Sequence, residues 1–273
     1  YGRSKLGAEQ VVLNASKQSG FAAHIFRLPN VFGKWCKPNY NSAIATFCYN
    51  IAHEIPIQVH DFTAPLTLVY VDDVIDRFIQ LMDGANAAPD ADGFERVSPQ
   101  YSTTVGEVAD LIRSFKNCRS SLLVERVGVG LTRGLYSTYM SYIPPEGFAY
   151  AVPMHSDARG TFVEMLKTKE SGQFSFFTAL PGVTRGGHYH HSKTEKFLVI
   201  KGNARFRFRH MLSGEVFEHY ASGDQSEIVE TSPGWAHDIT NVGDYELICM
   251  LWANEIFDRD KPDTVRRPLS RNG

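Results

Sequence analysis

Cysteine is scarce in this chain: Cys36, Cys48, Cys118 and Cys249 are the only four among 273 residues, and no two form a Cys-x-x-Cys pair. That excludes a disulfide scaffold and a cysteine-built metal knuckle, and fits a reducing cytoplasm. Charge of one sign is not in excess either, with 28 Lys plus Arg against 30 Asp plus Glu and a formal net charge of -2. No global field gathers nucleic acid or an anionic membrane, so an anionic partner must be met by a local site. No run approaches the ~18 uninterrupted apolar residues of a membrane helix, and the charged N-terminus lacks the apolar stretch of a signal peptide. A Gly-x-x-Gly-x-x-Gly turn after a strand is missing throughout, and "GVGLTRG" near residue 130 has neither its spacing nor its strand. That turn seats a dinucleotide pyrophosphate on a helix N-terminus. There is no initiator Met, and the chain opens inside a helix pattern. It therefore reads as an N-terminally truncated piece, with a first βαβ region of roughly a hundred residues expected upstream.

What is present divides into two textures. From Ser4 to Lys17 apolar residues recur at three- and four-residue steps and Gly20 offers a left-handed stop, which predicts a helix. "FAAHIFRL" (residues 21–28) then reads as a buried strand, "NSAIATFCYNIA" as a helix, "TLVYV" as a strand, and "VDDVIDRFIQLMDG" as a helix ending at Gly84. "STTVGEVADLIRSFK" predicts one more helix with Thr103 or Thr104 as its N-cap. Strands alternating with helices mean an α/β layer structure. The pattern weakens from "NCRSSLL" onward, and Pro and Gly in "YIPPEGFAY" (residues 142–150) suit a connector.

Beyond the connector the period falls to two. "GTFVEML", "GQFSFFTAL", "EKFLVIKG", "NARFRFRHM", "EVFEHYASG" and "YELICMLWANEIF" are short alternating runs split by turn residues, the pattern of an all-β sandwich or barrel. "ARFRFRH" puts Phe206 and Phe208 on one face and Arg205, Arg207 and Arg209 on the other, an arginine face read as solvated rather than as a substrate contact. The expected division is thus residues 1–142, α/β, and 143–273, all-β.

Six of the ten histidines fall between His188 and His237. In "GVTRGGHYHHSKTEKFLVIKG" a His-x-His pair on an extended strand turns the imidazoles of His188 and His190 to one face, and Glu195 can join them from the next strand. "PGWAHDITN" adds His237. Three imidazoles and a carboxylate are a plausible set for a divalent transition metal, with zinc the choice on ligand type and open positions left for water or substrate.

These two segments, with glycines at 182, 202 and 234, resemble the two motifs of the cupin superfamily, although Pro233 stands directly before Gly234 rather than two residues before it. The resemblance implies a double-stranded β-helix, or jelly-roll, barrel holding a metal. "DARGTFVEML" (residues 157–166) and "VTRGGHYH" (residues 183–190) look like signatures of the nucleotide-sugar epimerase branch, which acts on 4-keto-6-deoxy sugars. There Arg159 is implied to contact the nucleotide diphosphate and His188 to be the base that removes a proton beside the ketone. A neutral imidazole poised near pH 7 suits that step, and Arg185, Lys193 or the metal can meet the charge that develops on the carbonyl oxygen. His188 is then both a ligand by one pattern and the base by the other, and a nitrogen bound to a metal accepts no proton. His191, on the opposite strand face, reads as exposed or satisfied in the core.

In the first half, Tyr1 and Lys5 keep the Tyr-x-x-x-Lys spacing. On a helix the Lys lies beneath the phenol, lowers its pKa and holds the cofactor ribose. With "RLPNVFGKW" (residues 27–35) and "YVDDV" (residues 70–74) behind them, they resemble the C-terminal half of an extended short-chain dehydrogenase/reductase. The resemblance implies catalytic Tyr1 and Lys5, which also contact the cofactor, a substrate-side Asn30, and Asp72 and Asp73 as structural residues that anchor a helix by capping.

Together the halves resemble the bifunctional family of capsule and O-antigen (lipopolysaccharide) biosynthesis in which such a Rossmann-like reductase is fused to a cupin. That resemblance implies C3 epimerisation of a UDP-linked 4-keto-6-deoxy amino sugar, NADPH as reductant at C4, a cytoplasmic homodimer, and no partnership with nucleic acid or membrane. The other readings are a metal-dependent dioxygenase or phosphosugar isomerase, or a non-catalytic sugar-binding module.

Overall fold

Thr104 and Glu107 exchange the two hydrogen bonds of a capping box: the Thr104 hydroxyl accepts from the Glu107 N–H at 3.2 Å and the Glu107 carboxylate accepts from the Thr104 N–H at 2.9 Å. Of the two threonines, Thr104 is thus the N-cap, and its helix runs Val105–Ser121. The computed structural model describes residues 2–269, and these form two compact units. One takes the chain up to Lys116 together with Val127–Phe148; the other takes Asn117–Arg126 and the chain from Ala149 on. The division departs from a single cut at 142/143 because Leu122, Val124 and Lys167 exchange backbone hydrogen bonds, which ties that segment to the β-rich unit.

The first unit contains helix α1 (Gly2–Ser19), strand β1 (Asn30–Phe32), α2 (Ala43–Ala52), β2 (Pro65–Tyr70), α3 (Val71–Met82), β3 (Tyr101–Thr104), α4 (Val105–Ser121) as far as Lys116, and α5 (Gly130–Met140). β1 and β2 pair in parallel, and β2 and β3 antiparallel. Phe32, Ile44, Leu68, Ile112, Phe115 and Leu135 form the buried core between this sheet and its helices.

Three expectations need correction here. Residues 21–28 do not form a strand. A strand exists through its ladder, and among the described residues this segment pairs only through an isolated bridge, Phe26 with Glu95. The weak stretch after Asn117 hides α5. Its glycines depress helix propensity, yet Gly134 is needed because a Cβ there would stand 3.0 Å from the Phe32 ring. Asp72 and Asp73 do not cap α3: its N-cap position is Tyr70, without a side-chain bond, and Asp72 instead pairs with Lys34 Nζ at 2.7 Å. Both aspartates still sit in the first turn, where the helix dipole favours them.

Apart from the end of α4, the second unit is built of strands: β4 (Met154–Asp157), β5 (Gly160–Thr168), β6 (Gly172–Ala179), β7 (Thr184–Tyr189), β8 (Glu195–Lys201), β9 (Asn203–His210), β10 (Val216–Ser222), β11 (Ile228–Glu230), β12 (Trp235–Asn241), β13 (Leu247–Ala253) and β14 (Val265–Arg266). One sheet has the order β10-β9-β12-β7-β14 and the other β11-β8-β13-β6-β5-β4. Phe177, Phe197, Phe206, Phe208, Ile239 and Leu247 share the buried core of this unit.

The arginine face of β9 is not merely solvated. Arg207 makes a bidentate pair with Asp238 on β12, at 3.0 and 2.6 Å, and Arg209 donates to the Pro268 carbonyl at 3.3 Å. Alternation placed these side chains on one face; the buried Asp238 came from a strand about thirty residues away.

Candidate metal centre and neighbouring site

β7 and β12 run antiparallel with His188 opposite His237, so two imidazoles separated by 49 positions project together. A register shift between His237 and Asp238 follows this pair. It is accommodated by Gly186, whose φ is +92° and where a Cβ would lie 2.8 Å from the His237 carbonyl oxygen. His190 follows directly on β7, and Glu195 opens β8. Ligand atoms of His188, His190, Glu195 and His237 all lie within 4.8 Å of one another.

The donor spacing fits a cation. Glu195 Oε2 stands 3.2 Å from both His190 Nε2 and His237 Nε2. Donors bonded at about 2.0–2.2 Å around a tetrahedral zinc stand roughly 3.3 Å apart. The outer nitrogens are held as metal-binding histidines require: His190 Nδ1 bonds the Asp263 carbonyl, and His237 Nδ1 faces the Trp235 carbonyl at 3.5 Å. Lys193 Nζ pairs with Glu195 Oε1 at 3.0 Å, so one carboxylate oxygen is neutralised and the other faces the imidazoles. Burial by itself would raise the Glu195 pKa, but hydrogen bonds to His190 and His237 and the Lys193 charge hold it well below the carboxylate range.

His188 differs from its neighbours. His190, Glu195 and His237 are buried, whereas His188 is half-buried and, among the described residues, its imidazole has no protein hydrogen bond. Its pKa is pushed down to about 4, first by burial and then by the charge of His237, so it is neutral at physiological pH but lies well below the value near 7 expected of a poised base. His191 is exposed.

The other candidate residues fall as follows. Arg159 sits in the turn between β4 and β5, largely exposed, and grips Asp157 at 2.6 Å. Arg185 donates from Nε to the Thr178 carbonyl at 2.9 Å, and its buried Nη2 has no hydrogen-bond partner among the described residues. Its pKa is lowered by burial and then by Arg159, which puts both guanidinium groups in one neighbourhood. Lys193 is buried against Glu195 rather than open to a substrate. In the α/β unit, Lys5 lines a cavity of about 570 Å³ with Glu9, His24 and Arg27. Asn30 is exposed and donates to the Thr67 carbonyl at 3.3 Å. Tyr1 lies outside the described residues.

Sequence reasoning missed two features. Asp263 binds the turn that joins His190 to Glu195, although it lies about seventy residues away in the chain. A cavity of about 440 Å³ is lined by Phe208, Phe217, Trp235, His219 and Glu227, and Phe208 pairs with His237 of the candidate cluster across β9 and β12. Neither has a local signal, because the segments that build them meet only in the folded sandwich.

Comparison with known proteins places this geometry. The family described as "Polysaccharide biosynthesis C-terminal domain" matches residues 155–265, and "NAD dependent epimerase/dehydratase family" matches residues 1–94. A Pseudomonas aeruginosa protein, UDP-2-acetamido-2,6-beta-L-arabino-hexul-4-ose reductase, is 60% identical over 97% of this chain and 70% of its own length. The chain belongs to that reductase family. The chain is also similar in structure to the capsular polysaccharide assembling protein CapF of Staphylococcus aureus, with 42% identity and a TM-score of 0.93 over 98% of this chain and 72% of CapF. The spore coat polysaccharide biosynthesis protein SpsL of Bacillus subtilis is 27% identical over 42% of the chain and 82% of its own length. The four-residue cluster and both arginines lie inside the polysaccharide-biosynthesis match, and Lys5 and Asn30 inside the epimerase/dehydratase match. No helix of the described residues is long and apolar enough to cross a membrane.

Proposed function

We propose that residues 143–273 form a cupin that epimerises C3 of a UDP-linked 2-acetamido-2,6-dideoxy-4-keto-hexose. Residues 1–142 are then the C-terminal portion of a short-chain dehydrogenase/reductase domain. In the longer parent, that domain would reduce C4 with NADPH to give UDP-2-acetamido-2,6-dideoxy-L-talose, precursor of UDP-N-acetyl-L-fucosamine. The observation that carries the reading is the half-buried, neutral His188 beside the buried His190, Glu195 and His237. The relationship to a UDP-sugar reductase supports the substrate class.

Hydrogen at C3 is acidic because it neighbours the C4 ketone. His188 accepts that proton, the electron pair moves toward the carbonyl oxygen, and return of a proton to the other face of C3 inverts it. His188 takes this role because its nitrogens are unengaged by protein, whereas His190 and His237 are fixed at both ends. His190, Glu195 and His237 would hold a divalent cation, zinc in our reading, which as a Lewis acid would polarise a carbonyl oxygen. Three protein ligands are sufficient for a site that keeps a position open. A related CapF structure contains the inhibitor 3-isopropenyl-tropolone, a compound whose adjacent oxygens belong to the chemistry of chelators. The unpaired Arg185 Nη2, with Arg159 nearby, supplies donors for the developing oxyanion or the diphosphate.

The hydride step belongs, in this reading, to the longer parent. Lys5 is present, but among the described residues no glycine-rich turn leads from a strand into a helix N-terminus to seat a dinucleotide.

The test is deuterium uptake at C3 when the UDP-4-keto sugar is incubated in heavy water with metal-loaded protein. Uptake that needs no nicotinamide supports the reading; its absence from a folded, metal-loaded sample overturns it.

A further inference from the structure

Asp263 lies between β13 and β14 and touches the metal cluster in two ways. Its carboxylate accepts the backbone N–H groups of His191, Ser192 and Lys193 at 2.9, 2.7 and 2.8 Å, and the Ser192 hydroxyl at 2.9 Å. Its backbone carbonyl accepts from Nδ1 of His190. Residues 191–194 are the link between His190 and Glu195, so one residue holds both the turn that separates two metal-binding candidates and the ring of one of them.

We propose that Asp263 is a positioning residue of the metal centre, one that sets its affinity for a divalent cation. The inference rests on the metal reading above. A carbonyl oxygen can only accept, so it keeps a proton on His190 Nδ1 and leaves Nε2, 3.2 Å from Glu195 Oε2, as the ring atom that would face a shared cation. The carboxylate keeps the connecting turn in one conformation, because a charged acceptor shared by three N–H groups is lost only at the cost of leaving them all unpaired. The chain beyond Asp263 reinforces the arrangement. Val265 and Arg266 pair with Tyr189 and His188, and the Arg267 N–H donates to the Gly187 carbonyl at 2.7 Å. The segment therefore lies along β7 beside two of the imidazoles.

The test is zinc affinity, measured by chelator competition on the chain and its Asp263→Ala and Asp263→Asn variants, with thermal unfolding of the metal-free forms alongside. Affinity is expected to fall about ten- to a hundredfold in Asp263→Ala. Asp263→Asn, which retains one acceptor oxygen, falls between and carries the test if the alanine variant does not fold. A lower melting temperature with unchanged zinc affinity would show a merely structural residue and overturn the proposal. If the unsubstituted chain binds no zinc, the metal reading fails by itself. The clamp is then judged from long-range proton–nitrogen spectra of the metal-free protein. A His190 Nδ1–H that is lost in the variants supports it, and one that is identical in all three overturns it.

Discussion

His188 and His237 face each other across β7 and β12, their rings 4.7 Å apart, and only His237 is closed off from solvent. On the proposed reading the pair would separate two jobs that one imidazole cannot do together, holding a cation and accepting a proton. His188→Ala is expected to cut deuterium exchange at C3 by about a hundredfold or more while one metal per chain remains bound. Loss of the metal in this variant would make His188 a ligand and require another base.

Removing the metal should destabilise the β-rich unit. A ligand present at a hundred times its dissociation constant stabilises the folded state by about 2.7 kcal/mol, or about 10 °C in melting temperature for a unit of this size. Calorimetry with and without a chelator measures the shift. The transition of the α/β unit should not move.

Gly186 and Gly182 both adopt left-handed backbone, but only Gly186 lies against a strand. Gly186→Ala combines the conformational cost with a clash against the His237 carbonyl and is expected to cost about 3 kcal/mol. Gly182→Ala meets open space and should cost about 1 kcal/mol. Urea unfolding of the two variants distinguishes them, and equal losses would show that strand spacing at the bulge does not matter.

Asp238 is buried, and its bidentate partner Arg207 is mostly so. Arg207→Met leaves the more deeply buried Asp238 carboxylate without its counter-charge and should cost about 3 kcal/mol, while Asp238→Ala, which leaves a guanidinium that still reaches solvent, should cost less. Denaturant midpoints of the two variants give the comparison.

In the α/β unit Glu95 is enclosed by Arg77 at 2.8 Å and His24 at 3.1 Å. Burial pushes its pKa up, but the hydrogen bonds from Arg77 and His24 prevail and hold it below the ordinary value of 4.5. A lowered carboxyl pKa contributes stability above its unfolded value and loses it as pH falls through the folded one. The unit should therefore lose stability below about pH 4.5. Glu95→Gln should destabilise it at pH 7 and differ less from the unsubstituted chain at pH 3; a constant difference across that range would refute the assignment.

Much of the candidate site was legible because its residues are close in sequence. His188, His190 and Glu195 span one strand, a turn and the start of the next, and period two alone aligns the first two imidazoles. Helices with caps, such as the one begun by Thr104, were legible for the same reason, since capping is a contact three residues long. α5 was not, because Gly134 answers to the Phe32 ring rather than to local propensity. Residues 21–28 looked like a strand by composition and lacked the ladder that makes one.

By itself, then, the sequence determined the two textures, the order of their elements, the scarcity of cysteine and charge bias that leaves recognition to a local site, and the identity of the clustered donors. Tertiary structure alone decided which of them work together. Strand pairing brought His237 to His188 and Asp238 to Arg207, burial made His188 the accessible imidazole, and the return of the chain placed Asp263 against His190. Periodicity specifies the face on which a side chain lies, whereas hydrogen-bond register between distant strands specifies what it faces.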